Sequence, residues 1–183
     1  MRLNFLMGVI GAPRTGKSTF IKEFCKKYMV SQNKSVVWFS HSETETYPTG
    51  IIHVNTMLHD KETLKNMIES LRGCLIVVDD YLQGNLSEPD GKIIRNIAAF
   101  RGHLNNDIII VSHSVNGLPP KVGGLIEHFV FFKPTDFKLD ANKKPLILED
   151  EFVFKKFKSL KKCNFAAGEK LTKDKHYFIC KSL

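Results

Sequence analysis

The feature that most constrains this chain is the octapeptide at residues 11–18. It reads Gly-Ala-Pro-Arg-Thr-Gly-Lys-Ser, a complete G-x-x-x-x-G-K-[ST] phosphate-binding motif. An apolar segment over residues 5–10 precedes it and predicts a buried strand, and a helical pattern follows from Thr19 to Tyr28. Because a functional phosphate loop stands between a strand and a helix, this context separates the motif from a glycine-rich turn that binds nothing.

The residue types in the motif predict how it would bind a nucleotide. Gly11 and Gly16 let the backbone curl so that its N–H groups point at phosphate oxygens, and the following helix N-terminus adds a partial positive charge. Lys17 is expected to reach the β- and γ-phosphates, and the Ser18 hydroxyl to ligate Mg²⁺. The predicted nucleotide-binding residues are Gly11, Ala12, Pro13, Arg14, Thr15, Gly16, Lys17, Ser18 and Thr19.

Apolar runs and helical patterns alternate over the first two thirds of the chain. Several of the runs are apolar throughout, which is typical of strands buried on both faces of a sheet. The pattern predicts an α/β fold with a mostly parallel sheet covered by helices on both faces. Strands are predicted at residues 35–40, 51–54, 74–78, 107–112 and 129–132, and helices at residues 61–71 and from residues 87–90 onward.

Two carboxylates follow the buried run at residues 75–78. Asp79 stands where an acid beside a phosphate loop would hold Mg²⁺, directly or through water. Asp80 lies one residue further along and would act as general base on the water that attacks the γ-phosphate. A plain turn at the end of a strand is the alternative explanation of the Asp-Asp pair.

The strand predicted at residues 107–112 also ends in polar residues, Ser112 and His113. The carboxyl ends of parallel strands form the ligand-binding edge of a sheet. We therefore expect His113 to contact the γ-phosphate or the attacking water. The alternative is a loop histidine that hydrogen-bonds a backbone carbonyl.

Positive charge is concentrated after residue 132. The formal net charge is +8, and residues 133–183 hold 13 lysines and no arginine against seven acidic residues. This excess points to a polyanionic partner or to a solvated lysine-rich face.

The expected organisation is a P-loop core over residues 1–133 and a basic, aromatic-rich appendage over residues 134–183, packed on that core. The segment 152–165 either stacks nucleic-acid bases or, as we prefer, forms a helix whose Phe152, Phe157 and Leu160 pack inward.

The cysteines and the apolar runs indicate the cellular compartment in which we expect the protein to work. Cys25, Cys74, Cys163 and Cys180 have no metal-ligand spacing, so we interpret them as reduced thiols of a cytoplasmic protein. A zinc site built from Cys163, His176 and Cys180 is disfavoured because no C-x-x-C pair is present. No apolar run approaches the roughly 20 residues that a membrane-spanning helix needs, and the N-terminus does not read as a signal peptide.

The chain thus contains, in order, a phosphate loop, an apolar strand ending in two acids, and an apolar strand ending in a polar sensor. The third element is preceded by Arg101-Gly102-His103 and followed by a proline-containing loop and the run at residues 125–133. Over about residues 4–133 this arrangement resembles the FtsK–HerA superfamily of P-loop ATPases. Within it, the chain is most similar to viral genome-packaging ATPases, and also to the nucleotide-binding part of zonula-occludens-toxin-like phage assembly proteins.

The resemblance implies a fold with the sensor strand between the strands that carry the phosphate loop and the acids. It implies a homo-oligomeric ring, often a hexamer, that hydrolyses ATP and moves double-stranded DNA without sequence preference. An arginine of the neighbouring subunit would complete the site, and Arg101 matches that position best, with Arg95 as the alternative. A viral relative would work in the host cytoplasm or at a virion vertex, where a capsid vertex or portal protein would be its docking partner.

Two departures from the family leave other functions open. Asp80 stands where the family usually has a glutamate, which raises the alternative of a nucleotide-gated assembly scaffold without turnover. A filamentous-phage assembly protein would carry a membrane anchor, so its absence here favours the packaging motor. A small nucleoside or nucleotide kinase is a further alternative, although kinases of that size usually have an arginine-rich lid and this chain has no arginine after Arg101.

Overall fold

A single sheet organises the part of the chain that the computed structural model describes, residues 4–42, 45–79, 92–115, 117–118, 120–134 and 146–181. Within those ranges the sheet has seven strands in the order β3-β2-β4-β5-β1-β6-β7. The first six are mutually parallel, and β7 runs antiparallel to β6. The strands are β1 (Leu6–Ile10), β2 (Val36–Ser40), β3 (Ile51–Asn55), β4 (Leu75–Val78), β5 (Asp107–Ser112), β6 (His128–Phe132) and β7 (Tyr177–Lys181).

This topology confirms the predicted α/β class and the strand arrangement that the resemblance implied. Strand β5, which leads to His113, lies between β1, which leads to the phosphate loop, and β4, which leads to Asp79. Every residue of β1, β2, β4 and β5 is buried, as expected for central strands covered on both faces. The carboxyl ends of these parallel strands therefore bring the three motifs to one edge of the sheet.

Alternate side chains of the strands enter two separate apolar clusters, one on each face of the sheet. Helix α1 covers one face through Ile21, Cys25 and Tyr28. The other helices, together with Leu148, cover the opposite face. The helices are α1 (Lys17–Gln32), α2 (Lys61–Ser70), α3 (Lys92–Phe100), α4 (Pro120–Gly123) and α5 (Glu151–Ser159). None of the helices in the described ranges combines the length and apolar character needed to cross a bilayer.

Residues after 145 extend the same sheet. Strand β7 pairs with β6 along its whole length, and Phe157 of α5 packs edge-on against Phe131 of β6. The helix predicted in this segment is confirmed, with Phe157 and Leu160 fully buried, but the prediction for Phe152 is wrong because 75% of that residue is exposed. Phe152 belongs to the first turn of a helix that presents a single buried face. The division of the chain at residue 134 stays a prediction.

The amino-terminal edge of the sheet is anchored by a buried carboxylate, Asp107. Its oxygens accept hydrogen bonds from the Phe5 backbone N–H at 2.9 Å, from the Tyr28 hydroxyl, and from the Lys34 ammonium at 3.2 Å. Asp107 is fully buried, so its charge depends on these three donors for compensation. Burial and the adjacent carboxylate raise the pKa of Tyr28, which keeps the phenol protonated as a donor.

Asp107→Asn is expected to destabilise the fold by about 3 kcal/mol, because it leaves the Lys34 ammonium without its buried counter-charge. The matched control is Asp60→Asn, since Asp60 caps α2 by accepting from the Thr63 N–H, and asparagine caps equally well. Urea unfolding followed by circular dichroism measures both changes. Equal losses in the free energy of unfolding for the two variants would contradict the role given to Asp107.

Candidate nucleotide-binding site

The phosphate loop is hydrogen-bonded to the ends of two strands, β5 and β6. Gly11 N–H donates to the Ser112 carbonyl at the end of β5 at 3.1 Å, and Ala12 N–H donates to the Lys133 carbonyl after β6 at 2.7 Å. Within the loop, the Thr15 hydroxyl donates to the Ala12 carbonyl at 2.8 Å. The loop ends at Gly16, and α1 begins at Lys17. The predicted strand, loop and helix are confirmed, with the helix beginning two residues earlier than its apolar pattern indicated.

Two glycines of the motif are required for different reasons. A Cβ on residue 11 would stand 2.5 Å from the Cβ of Phe132, so Gly11 permits the close approach of the loop to β6. Gly16 has a φ of 103° and caps α1 in the left-handed region, which glycine adopts without steric cost. Arg14 also has positive φ, at 58°, and is exposed at the rim of the loop.

Lys17 is 94% buried, and its ammonium faces acceptors of the loop itself. Nζ lies 2.8 Å from the Gly11 carbonyl, 3.0 Å from the Ala12 carbonyl and 3.2 Å from Nδ1 of His113. An ammonium has only donors, so Nδ1 of His113 must be the acceptor and the ring proton of neutral His113 stands on Nε2. The contact brings together two predicted site residues through their side chains. The expected contact of His113 with the γ-phosphate or the attacking water stays a prediction.

A cleft of about 690 Å³ opens over the loop and collects most of the predicted residues. Ser18 and Asp79 both line it, so a hydroxyl and a carboxylate oxygen, which suit Mg²⁺, face one space. Its walls come from the loop, from the ends of β2, β4 and β5, and from the segment before β7. The lining residues are Pro13, Arg14, Gly16, Lys17, Ser18, Thr19, Ser40, His41, Ser42, Glu45, Asp79, His113 and Phe165.

One wall of the cleft was not predicted from the sequence, and it is formed by Ser40, His41, Ser42 and Glu45. Ser40 ends β2, which pairs with β4, so the rule that parallel strand ends share an edge was the available signal. Two residues that are not in the lining, Lys22 and Tyr47, fix this wall. Lys22 of α1 pairs with Glu45 at 2.8 Å and lies over the Tyr47 ring. Tyr47 in turn contacts the Ser40 hydroxyl at 2.8 Å.

The lining of the cleft does not include Arg101, a predicted catalytic residue that the structure describes. Asp80 lies outside the described residues, as does the start of the helix predicted from residues 87–90. Arg101 lies at the opposite edge of the sheet, where it bonds the Asn4 carbonyl before β1 and the Glu127 carboxylate before β6, each at 2.8 Å. Its role as an arginine supplied to a neighbouring subunit stays a prediction.

Cys163, Glu169 and His176 form a cluster whose ligand-type atoms lie within 4.8 Å of one another. His176 Nδ1 accepts the Thr172 N–H at 2.9 Å, so Nε2 carries the proton and faces the Glu169 carboxylate at 3.1 Å. A metal-bound histidine instead donates from its second nitrogen, so this arrangement fixes a loop and does not suit a metal. Cys180 of the zinc hypothesis stands apart from the cluster, in β7.

The cysteines of the described residues are free thiols. Burial raises the pKa of Cys25 to about 12 and that of Cys74 to about 11. Both therefore remain protonated, unreactive core residues, in agreement with the interpretation of reduced thiols.

Comparisons with known proteins identify the fold. No protein-family model and no curated protein matches the sequence. Among solved structures, the chain is similar to the genome packaging NTPase B204 from Sulfolobus turreted icosahedral virus 2 in complex with AMPPCP, with a TM-score of 0.66 and 14% identity over 98% of this chain and 93% of that one. The chain is also similar to B204, the DNA-packaging ATPase from Sulfolobus turreted icosahedral virus. The TM-score is 0.59, and the identity is 18% over 88% of this chain and 90% of that one.

The N-terminal domain of zonular occludens toxin from Neisseria meningitidis is also similar, with a TM-score of 0.52 and 12% identity over 80% of this chain and 90% of that one. At these identities the likeness shows the fold, a P-loop NTPase fold of the kind that the resemblance implied. The first match spans nearly the whole chain, so it extends past residue 133, where the resemblance in sequence ended.

Gly11→Ala is expected to displace the phosphate loop from β6, because the added methyl would stand 2.5 Å from Phe132 Cβ. Overpacking of this kind costs about 1–3 kcal/mol, and we expect nucleotide affinity to fall with it. Gly102→Ala is the matched control, since nothing lies within 4 Å of its added methyl. Thermal unfolding and calorimetric titration with Mg²⁺-ATP measure the two effects, and a Gly11→Ala protein with unchanged affinity would contradict the assigned packing.

Proposed function

We propose that this chain is an ATPase that couples hydrolysis to the movement of nucleic acid, as a subunit of a viral genome-packaging motor. The observation that carries the proposal is the contact of Lys17 Nζ with His113 Nδ1, in a cleft that Asp79 also lines. A phosphate-binding lysine, a sensor and an acid thereby surround one space on a P-loop NTPase fold. That is the set of groups needed to bind a triphosphate and respond to its γ-phosphate.

Each described residue has a distinct part in the proposed chemistry. Lys17 would exchange its contacts with the Gly11 and Ala12 carbonyls for β- and γ-phosphate oxygens, while backbone N–H groups of residues 11–19 and the N-terminus of α1 receive the phosphates. Ser18 and Asp79 would hold Mg²⁺, which supplies neutralisation of phosphate charge when bound. Asp80 is proposed as the general base, one residue beyond Asp79.

His113 would report whether the γ-phosphate is present. Because its Nδ1 accepts from Lys17, its protonated Nε2 is a donor, which suits a phosphate oxygen or the attacking water. Movement of Lys17 toward phosphate would release Nδ1 and change the hydrogen bonding of the ring. The β5 strand end could thus respond to the state of the nucleotide.

The proposal includes a homo-oligomeric ring, hexameric by resemblance, with Arg101 or Arg95 acting on the site of the adjacent subunit. In the isolated chain the Arg101 side chain is 18% exposed and paired with Glu127, so its use between subunits would require that pair to open. Arg95 lies on α3 and is half-buried. A capsid vertex or portal protein is proposed as the docking partner of the ring.

A basic surface of residues 155–162 would contact the nucleic acid, most simply double-stranded DNA through its phosphates. Part of this charge is already neutralised, since Lys155 pairs with Glu151 and Lys156 with Asp174. Lys161 and Lys162 lie just after α5 and are exposed. Phosphate contacts suffice for a motor that must move along any sequence.

Lys17→Ala is expected to lower ATP hydrolysis about 100-fold or more, because it removes the charge that faces the β- and γ-phosphates. Lys26→Ala is the control on the same helix, since Lys26 is exposed and pairs with neighbouring Glu23 on the surface. Phosphate release with Mg²⁺ and ATP, with and without double-stranded DNA, measures the effect. Phosphate transfer to nucleosides would favour a kinase instead, and ATP binding without DNA-stimulated release would favour a scaffold.

Removing Lys161 and Lys162 together by alanine substitution is expected to weaken DNA binding and to lower the slope of log affinity against log salt by about 1.8, or 0.9 per lost phosphate contact. Lys61→Ala with Lys65→Ala removes the same charge from α2 and is the matched control. Fluorescence anisotropy with a labelled duplex at several salt concentrations provides the slopes. Identical slopes for both double variants would place the DNA on another surface.

A further inference from the structure

Phe165 is an aromatic residue in the nucleotide cleft that the proposed chemistry leaves without a function. It lines the cleft beside Gly16, and 43% of its surface is exposed. Its Cζ lies 3.0 Å from the position that a Cβ on Gly16 would take, and Leu171 Cδ2 lies 2.6 Å from the same position. Two apolar side chains from the segment before β7 therefore cover the last residue of the phosphate loop.

The backbone around Phe165 is fixed, so the ring is presented in a defined place. Asn164 caps the short 3₁₀ turn at residues 165–167 by accepting from the Ala167 N–H. The Glu169 carboxylate accepts from the Asn164 N–H at 2.8 Å and is paired with Lys175. The Asn164 hydrogen bond and Lys175 lower the pKa of Glu169 to about 2, so this support is complete above the ordinary pKa of a glutamate and is lost only as the pH falls toward 2.

The sheet order determines which end of a nucleotide would meet Phe165. Asp79 and His113 follow β4 and β5, which lie on one side of β1, so the γ-phosphate and its metal belong on that side. Phe165 precedes β7, which pairs with β6 on the other side of β1. A triphosphate laid across the N-terminus of α1, with its γ-phosphate toward β4 and β5, directs its base toward β6 and β7.

We infer that Phe165 is the base-stacking residue of the site, and that the base of the nucleotide packs on its ring. The inference rests on the nucleotide binding in the proposed function but not on hydrolysis or DNA. Among the described residues no other phenylalanine, tyrosine or tryptophan lines the cleft, and no other aromatic ring packs on Phe165. Stacking on one ring favours the larger π-face of a purine, so ATP and GTP are expected to bind more tightly than CTP and UTP.

The test compares nucleotides with a probe that has no base. Calorimetric titration of the full chain uses Mg²⁺ complexes of ATP, CTP and inorganic tripolyphosphate. Phe165→Ala is expected to raise the Kd for ATP about tenfold or more and to reduce the preference for ATP over CTP, while the Kd for tripolyphosphate stays within twofold. Phe165→Trp is expected to retain ATP affinity. Phe152→Ala removes an exposed ring outside the cleft lining and is expected to leave the Kd for ATP and the Kd for tripolyphosphate unchanged.

The outcomes separate this inference from its alternatives. An equal loss for ATP and tripolyphosphate would overturn it, because Phe165 would then only support Gly16 and the loop. Unchanged affinities in Phe165→Ala would also overturn it and would leave the ring as a contact for another subunit. Base-dependent binding through Phe165 in a protein without DNA-stimulated hydrolysis would uphold the inference while the proposed function fails. If the unchanged protein binds neither probe, both fail.

Discussion

Two backbone hydrogen bonds tie the phosphate loop to strand ends on both sides of β1, and the geometry of the site depends on them. They join Gly11 to Ser112 at the end of β5 and Ala12 to Lys133 after β6. The loop therefore cannot shift against the sheet without leaving buried polar groups unpaired, which is costly. Because β5 also leads to His113, the same attachment sets the distance between His113 and Lys17. Gly11 makes it possible, since any side chain there would meet Phe132.

The buried ammonium of Lys17 stabilises the conformation of the loop without a bound phosphate. Burying an ammonium without partners would cost several kcal/mol, and here two loop carbonyls and His113 compensate it. Phosphate oxygens can replace these acceptors one for one, so binding would exchange neutral acceptors for anionic ones, which the ammonium binds more strongly. The two edges of the sheet thus differ, since the carboxyl edge holds exchangeable contacts and the amino edge holds the fixed contacts of Asp107 and Arg101.

Arg101 illustrates the limit of reasoning from the sequence. Its position in the chain matched a family pattern, but the partner that fixes it, Glu127, belongs to a different loop at the amino edge of the sheet. Phe152 shows the same limit within one helix, because the apolar pattern alone could not say which of the three apolar residues would face the sheet. In both cases the decisive neighbour is distant in sequence and contributes nothing to local periodicity.

The sequence by itself determined the phosphate loop, the positions of the six parallel strands and the α/β class, because motif spacing and hydrophobic periodicity are properties of contiguous residues. The resemblance added the place of the sensor strand. Only the tertiary structure decided that Lys17 and His113 touch and that Phe165 reaches Gly16. It also decided that one wall of the cleft is formed by Ser40, His41, Ser42 and Glu45. These contacts arise where strand ends meet at one edge of the sheet. Strand order and close packing, which no local pattern encodes, determine which residues become neighbours there.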